Sequence, residues 1–208
     1  MRVLAINSSA DAQNSVSRQI VEAAIAKLAA RDGNLEVVRR DLAADPVPHL
    51  APETLAGVRA TPQTSEERAA RALSDRLIAE LADADIVVIG APMYNFSIPT
   101  VLRAWFDHVL RAGTTFRYTE KGPEGLLKGK RVLVAESRGG FYSDGPARIV
   151  DFQEPYLRHL LGFIGLDDVT FVRAERIGFG PEARETAIAD AIAAIDGWIE
   201  EKAEALAA

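Results

Sequence analysis

Three short stretches of this chain carry side chains suited to holding a ligand rather than to filling a core. The first is Asn7-Ser-Ser9-Ala-Asp-Ala-Gln-Asn14-Ser15-Val16-Ser17-Arg18, which follows an apolar run and opens onto Gln19-Ile-Val-Glu-Ala-Ala-Ile. Its hydroxyls and amides, with free N–H groups at a helix start, make a neutral anion site that would take a monophosphate ester. Plain N-capping by Ser15 or Asn14 accounts for the same residues. The second stretch is Ala91-Pro92-Met93-Tyr94-Asn95-Phe96. Tyr94 and Phe96 offer flat apolar faces and Asn95 a bidentate amide, a set that suits a planar heteroaromatic cofactor. The third is Glu136-Ser137-Arg138-Gly139-Gly140-Phe141-Tyr142. Its two glycines allow close backbone approach and unhindered N–H donors, which could serve the carbonyl and nitrogen edge of a flavin ring or simply form a turn at a strand end.

What the sequence lacks narrows the chemistry. No G-x-G-x-x-G follows the first strand and no G-x-x-x-x-G-K-[ST] occurs anywhere, which argues against dinucleotide-fold and P-loop chemistry. A phosphoacceptor domain of similar layout needs acidic residues where this chain has Asn7-Ser8 and Gly90-Ala91. There are no cysteines, so thiol redox, disulfides and thiolate metal sites are excluded, and a redox role requires a bound cofactor. His49, His108 and His159 lie far apart with no metal-ligand spacing, and no Ser/His/Asp set can be assembled from them. With no catalytic acid/base pair evident, the protein's part would be to position a cofactor that performs the chemistry. The net charge of −6 argues against a nucleic-acid partner. No apolar run reaches the roughly 20 residues of a membrane span, and the start of the chain has no signal-peptide core. A cytoplasmic protein is the expectation.

The elements that must carry these stretches alternate. Strand-like runs lie at 2–7, 35–39, 86–90, 132–136 and 169–174, and helical patterns at 15–31, 64–82, 99–111, 148–163 and 181–206. Ile86-Val-Val-Ile-Gly90 reads as a central strand buried on both faces, with Pro99 in the first turn of the helix that follows. At 208 residues, with 48% hydrophobic and 26% charged residues, the chain suits one α/β domain spanning 1–208. Five βα repeats predict a doubly wound parallel sheet of flavodoxin-like order 2-1-3-4-5, with helices on both faces and a ligand at the carboxyl ends of the strands. The Pro-rich segment 41–62 predicts a lid, a subunit contact or a mobile loop, and 112–129 an irregular insertion. Trp105 and Phe106, at helical spacing with Val101, Leu102 and Val109, read as core, with a dimer contact as the second reading.

Taken together, Ser8-Ser9, the spaced Ser15-Val16-Ser17, Ala91-Pro-Met-Tyr-Asn-Phe96, Phe116-Arg-Tyr-Thr-Glu120, Gly122-Pro-Glu-Gly125, Ser137-Arg-Gly-Gly140 and Leu161-Gly-Phe-Ile-Gly165 resemble the FMN-dependent NADH:quinone oxidoreductases, also called azoreductases. The resemblance runs along essentially the whole chain in one register. It implies a flavodoxin-like homodimer with one FMN per subunit at the interface, NADH or NADPH as donor, quinones or azo compounds as acceptors, and ping-pong turnover. By motif, Ser9, Ser15, Val16 and Ser17 would hold the FMN phosphate, Pro92 to Phe96 the ribityl chain and ring, and Ser137, Arg138, Gly139 and Gly140 the ring's polar edge. Tyr118 and Phe163 match positions that wall the substrate side. The competing expectation is a flavodoxin-type electron carrier with no substrate site of its own, which would need neither Tyr118 and Phe163 nor the 112–129 insertion.

Overall fold

The computed structural model describes residues 1–205, with side-chain surroundings for residues 1–200. Its architecture follows from a sheet whose central strands bury both faces. Ile86–Pro92 (β3) and Arg131–Ser137 (β6) are buried at every position, as central parallel strands covered by helices on both sides must be. Between Arg2–Asn7 (β1), Glu36–Asp41 (β2) and Asp168–Ala174 (β7) they complete a five-stranded sheet ordered β2-β1-β3-β6-β7, all parallel. Counting the parallel strands alone, this is the expected 2-1-3-4-5 order.

Side chains alternate across the strands and divide the core in two. Leu4, Ile6, Val87, Ile89, Val132 and Val134 pack with Leu77, Leu81, Leu102, Trp105, Phe106, Leu157 and Leu161 on one face. Val3, Ala5, Ile86, Val88, Leu133 and Ala135 pack with Ile20, Val21, Ile195 and Trp198 on the other. Helices α3 (Ser65–Asp83), α4 (Thr100–Val109) and α5 (Glu154–Phe163) therefore cover one side, and α1 (Val16–Arg31) and α6 (Pro181–Ala205) the opposite side. Position 206, the last expected helical residue, lies outside the described residues. Trp105 is fully buried with its ring 4.9 Å from that of Phe106, so this pair belongs to the core.

Three segments differ from expectation. The helix expected from 148 starts only at Glu154, after a single 3-10 turn at Pro146–Val150. Pro155 has no N–H to donate back to residue 151, and Asp151 Oδ1 instead accepts from the N–H groups of Gln153 (2.9 Å) and Glu154 (3.1 Å). The 112–129 insertion is an ordered antiparallel hairpin, β4 (Phe116–Thr119) and β5 (Gly122–Gly125). The 41–62 segment is pinned rather than free. It contains a short helix, α2 (Leu55–Arg59), buries Leu42, Val47 and Val58, donates from Arg59 Nη1 to Leu110 O (2.7 Å), and accepts at Pro48 O from His108 Nε2 (3.0 Å).

The hairpin docks by backbone contact. A side chain on Gly125 would place its Cβ 2.0 Å from the nitrogen of Gly165, itself at φ +95°, in the turn between α5 and β7. Gly125→Ala is expected to cost about 1–3 kcal/mol as overpacking that only backbone movement can relieve, read as a lower urea midpoint. An unchanged midpoint would show that the hairpin is loosely attached.

Candidate functional site

The loops after β1, β3 and β6 meet at the carboxyl edge of the sheet through specific bonds. Ser8 Oγ donates to Gly90 O (2.6 Å), tying the first loop to β3. The Tyr94 hydroxyl lies 3.4 Å from Ser9 Oγ and accepts from Ala10 N–H (3.1 Å). Met93 N–H donates to Ser137 O (2.8 Å), and the Phe96 and Tyr142 rings meet edge to face at 6.1 Å. The three stretches singled out by their residue types thus form one surface.

Each loop leaves donors open on that surface. Ser15 is the N-cap of α1, accepting from Arg18 N–H (3.3 Å) and lying 3.2 Å from Ser17 Oγ. Asn14 takes no part in the cap; its N–H is instead held by Asp11 Oδ1. Among the described residues, nothing accepts from the N–H groups of Ser15, Val16 or Ser17, the donors a helix start leaves unpaired. Arg18 forks onto Asp41 (2.6 and 2.8 Å) and reaches Ser9 O (2.9 Å), while its buried Nε has no partner. That fork holds the Asp41 carboxyl below the usual carboxylate range. The hydroxyls, free N–H groups and orphaned Nε fit a phosphate monoester.

The second loop is a tight turn. Tyr94 and Ser97 exchange backbone hydrogen bonds of 2.9 and 3.1 Å around Asn95 (φ 48°) and Phe96 (φ 70°), both left-handed. Such a pair of angles is characteristic of Asn-Gly turns and strained for Phe. The strain presents Phe96, 47% exposed, and the free Asn95 amide outward. In the third loop Gly139 O and Gly140 O accept from Gly178 (3.0 Å) and Arg176 (2.7 Å), whereas the N–H groups of Gly139 and Gly140 have no acceptor among the described residues. A Cβ on Gly139 would meet nothing within 4 Å, so the space above it is open for a ligand.

Arg138 has a different role from its neighbours. Its guanidinium is fully buried, donating to Glu136 (2.6 Å), Gln153 (3.1 Å) and Glu175 (3.3 Å) and pairing with Asp151 (3.1 Å). Gln153 in turn donates to Ala91 O (2.8 Å), and Glu175 accepts from the N–H groups of Tyr142 and Ser143. The side chain thus faces inward and braces the loop from behind. Gln153 and Glu175 brace the candidate site and were passed over by motif reading, while Arg18 stood within the first stretch without a role of its own. Glu136 and Arg138 did carry a signal, since two charges at i and i+2 on a buried strand share a face.

Tyr118 and Phe163 lie elsewhere. They gather with Phe116 (ring distances 5.6 and 4.6 Å) and His159 beside a cavity of about 250 Å³ that Arg59, Arg103 and Tyr156 also line. Helix α5 follows its N-cap Gln153, which is bonded to the carboxyl edge, and its 10 residues carry Phe163 about 15 Å toward the opposite edge. The structure therefore separates the two expected substrate-side residues from the loops of their own chain.

Burial, reinforced by Glu154 and Asp151, pushes Glu136 up to about 8 against the pull of Arg138. As pH rises, the unfolded chain releases this proton near the ordinary glutamate value of 4.5 while the folded state retains it to about 8. The stabilisation is therefore complete in acid and lost as pH rises through that window. In urea titrations the wild-type midpoint should fall over this range and Glu136→Gln should flatten the fall; parallel profiles would show that Glu136 is ionised throughout.

Comparison with known proteins agrees with this geometry. A family model described as "Flavodoxin-like fold" matches residues 1–199. The chain is 65% identical over 189 residues to a Hyphomonas neptunium protein named FMN-dependent NADH:quinone oxidoreductase, covering 91% of each. It is 50% identical over 208 residues to a Stenotrophomonas maltophilia protein of the same name, covering 100% of each. Among solved structures, azoreductase AzrA superposes with a TM-score of 0.85 at 32% identity, covering 94% of this chain and 97% of that one. A Bacillus anthracis FMN-dependent NADH-azoreductase in complex with FMN gives 0.84 at 26% identity, covering 95% and 99%. By sequence and by fold, the chain belongs to the family of FMN-dependent NADH:quinone oxidoreductases.

Proposed function

We propose that this protein binds FMN across the loops after β1, β3 and β6 and uses NADH to reduce quinones and cleave azo compounds. The observation that carries this reading is the convergence of three donor-bearing loops on one open surface. FMN, when bound, supplies the two-electron hydride chemistry, and the chain's own residues bind and orient. Ser9, Ser15, Val16 and Ser17 hold the phosphate through hydroxyls and N–H groups, and Arg18 braces that loop against Asp41. Pro92, Met93, Tyr94, Asn95 and Phe96 supply the flat and amide contacts for the ring. The N–H groups of Gly139 and Gly140 stabilise negative charge at the ring's carbonyl edge, and Ser137 carries the join to β3. An acceptor replacing the oxidised donor in the same space gives ping-pong kinetics.

We further propose a homodimer in which the partner's hairpin and α5 bring a second Tyr118 and Phe163 over the ring. Their separation from the loops of their own chain supports this, as does the exposure of Tyr118 (74%), Phe152 (58%) and Ile149 (83%). Flat stacking walls accept many planar molecules, which suits a broad range of acceptors. Among the described residues no helix is long and apolar enough to cross a membrane, consistent with a cytoplasmic enzyme.

The protein incubated with FMN and freed of excess should show a flavin spectrum that NADH bleaches without oxygen and a quinone restores. A colourless protein would refute the cofactor assignment, and bleaching without steady quinone turnover would favour an electron carrier. A Cβ at position 139 meets no atom within 4 Å, so Gly139→Val should fold normally and, by filling the open space above the loop, bind FMN at least about tenfold more weakly. Phe163→Ala should retain FMN but turn over acceptors poorly. Refolding the two variants together should recover activity, because mixed dimers regain one intact site; no recovery would place each site within one chain.

A further inference from the structure

A second cleft, of about 650 Å³, opens beside the Gly139–Gly140 loop, lined by Phe141, Arg176, Phe179, Glu182, Thr186 and Asp190. We infer that it receives the adenosine phosphate half of the dinucleotide donor. This rests on the reading above, and concerns where its donor is held.

The cleft and the ring-edge loop are one unit. The N–H groups of Arg176 and Gly178 donate to the carbonyls of Gly140 and Gly139, and Phe141 directly follows that pair. Phe141 and Arg176 line the cleft, so it opens directly beside the loop proposed to hold the ring's edge. Arg184 ties α6, which lines the cleft, to Asn14 O (2.6 Å) in the loop after β1.

The lining matches an adenylate group by group. Phe179, 68% exposed, and Phe141 offer apolar faces on which a purine can stack. The Arg176 guanidinium sits 4.3 Å over the Phe141 ring and, among the described residues, is claimed by no carboxylate, leaving its fork for a phosphate. Its backbone lies at φ 61°, strained for arginine, and is held there by the bond to Gly140 O. Two other charged residues of the lining are already engaged. Arg173 is paired with Glu154, and Glu175 is turned inward to Tyr142, Ser143 and Arg138. Glu182 and Asp190 remain exposed on α6, where a carboxylate can accept from ribose hydroxyls but repels a 2′-phosphate. The lining therefore suits the donor of the proposed function, NADH, at its adenylate end.

The test is steady-state kinetics with a fixed quinone on the FMN-loaded enzyme. Phe179→Ala and Arg176→Ala should each raise KM for NADH about tenfold, with kcat, quinone KM and FMN content unchanged. 5′-AMP should compete with NADH in the wild type and lose potency in Phe179→Ala. Asp190→Asn should narrow the preference for NADH over NADPH. Unchanged NADH KM in Phe179→Ala, whose exposed side chain makes misfolding no explanation, or non-competitive AMP, would overturn the assignment. A wild type that holds FMN but oxidises neither nucleotide would instead overturn the proposed activity, and the cleft assignment with it.

Discussion

The candidate site depends on one buried cation. Arg138 has no exposure to solvent, yet it touches the end of β6 through Glu136, the start of α5 through Asp151 and Gln153, and the end of β7 through Glu175. A guanidinium in such a place is tolerable only if its donors are met, and removing a partner would strand a charge. The requirement fixes three chain segments at once. Because Gln153 continues to Ala91 and Glu175 to Tyr142 and Ser143, the same cation aligns two of the three loops of the candidate site. The polar groups facing outward stay free because those facing inward are engaged.

Much of this arrangement was legible in the sequence. The strands announced themselves by apolar and β-branched residues, continuous in β3 and sparse in β2, and their order follows from chirality and helix alternation. The three loops were found because Ser, Asn, Tyr and paired Gly at strand ends are poor core residues. Gln153 was not, because nothing local distinguishes a buried glutamine from an exposed one; its meaning lies 62 residues away at Ala91. The break before α5 was written in Pro155 and Asp151 but masked by apolar periodicity that continues through Ile149 and Val150. The hairpin at 116–125 escaped because four residues are too few for the alternation of Phe116-Arg-Tyr-Thr to stand out, and Gly122-Pro-Glu-Gly125 reads as a turn.

The separation of Tyr118 and Phe163 from the ring loops shows what residue types cannot convey. Their aromatic character suits stacking, and they cluster with Phe116. Which chain's ligand they would serve is a question of topology, set by α5 running from one sheet edge to the other.

The turn at Asn95 and Phe96 has a consequence for how this protein can change. A glycine at position 96 would adopt the left-handed angle without strain, and selection for heat resistance alone would favour it. The same change would remove the flat face that the strained backbone holds outward. At this position durability and grip on a ligand pull toward different amino acids, so a phenylalanine surviving there records which of the two demands has prevailed.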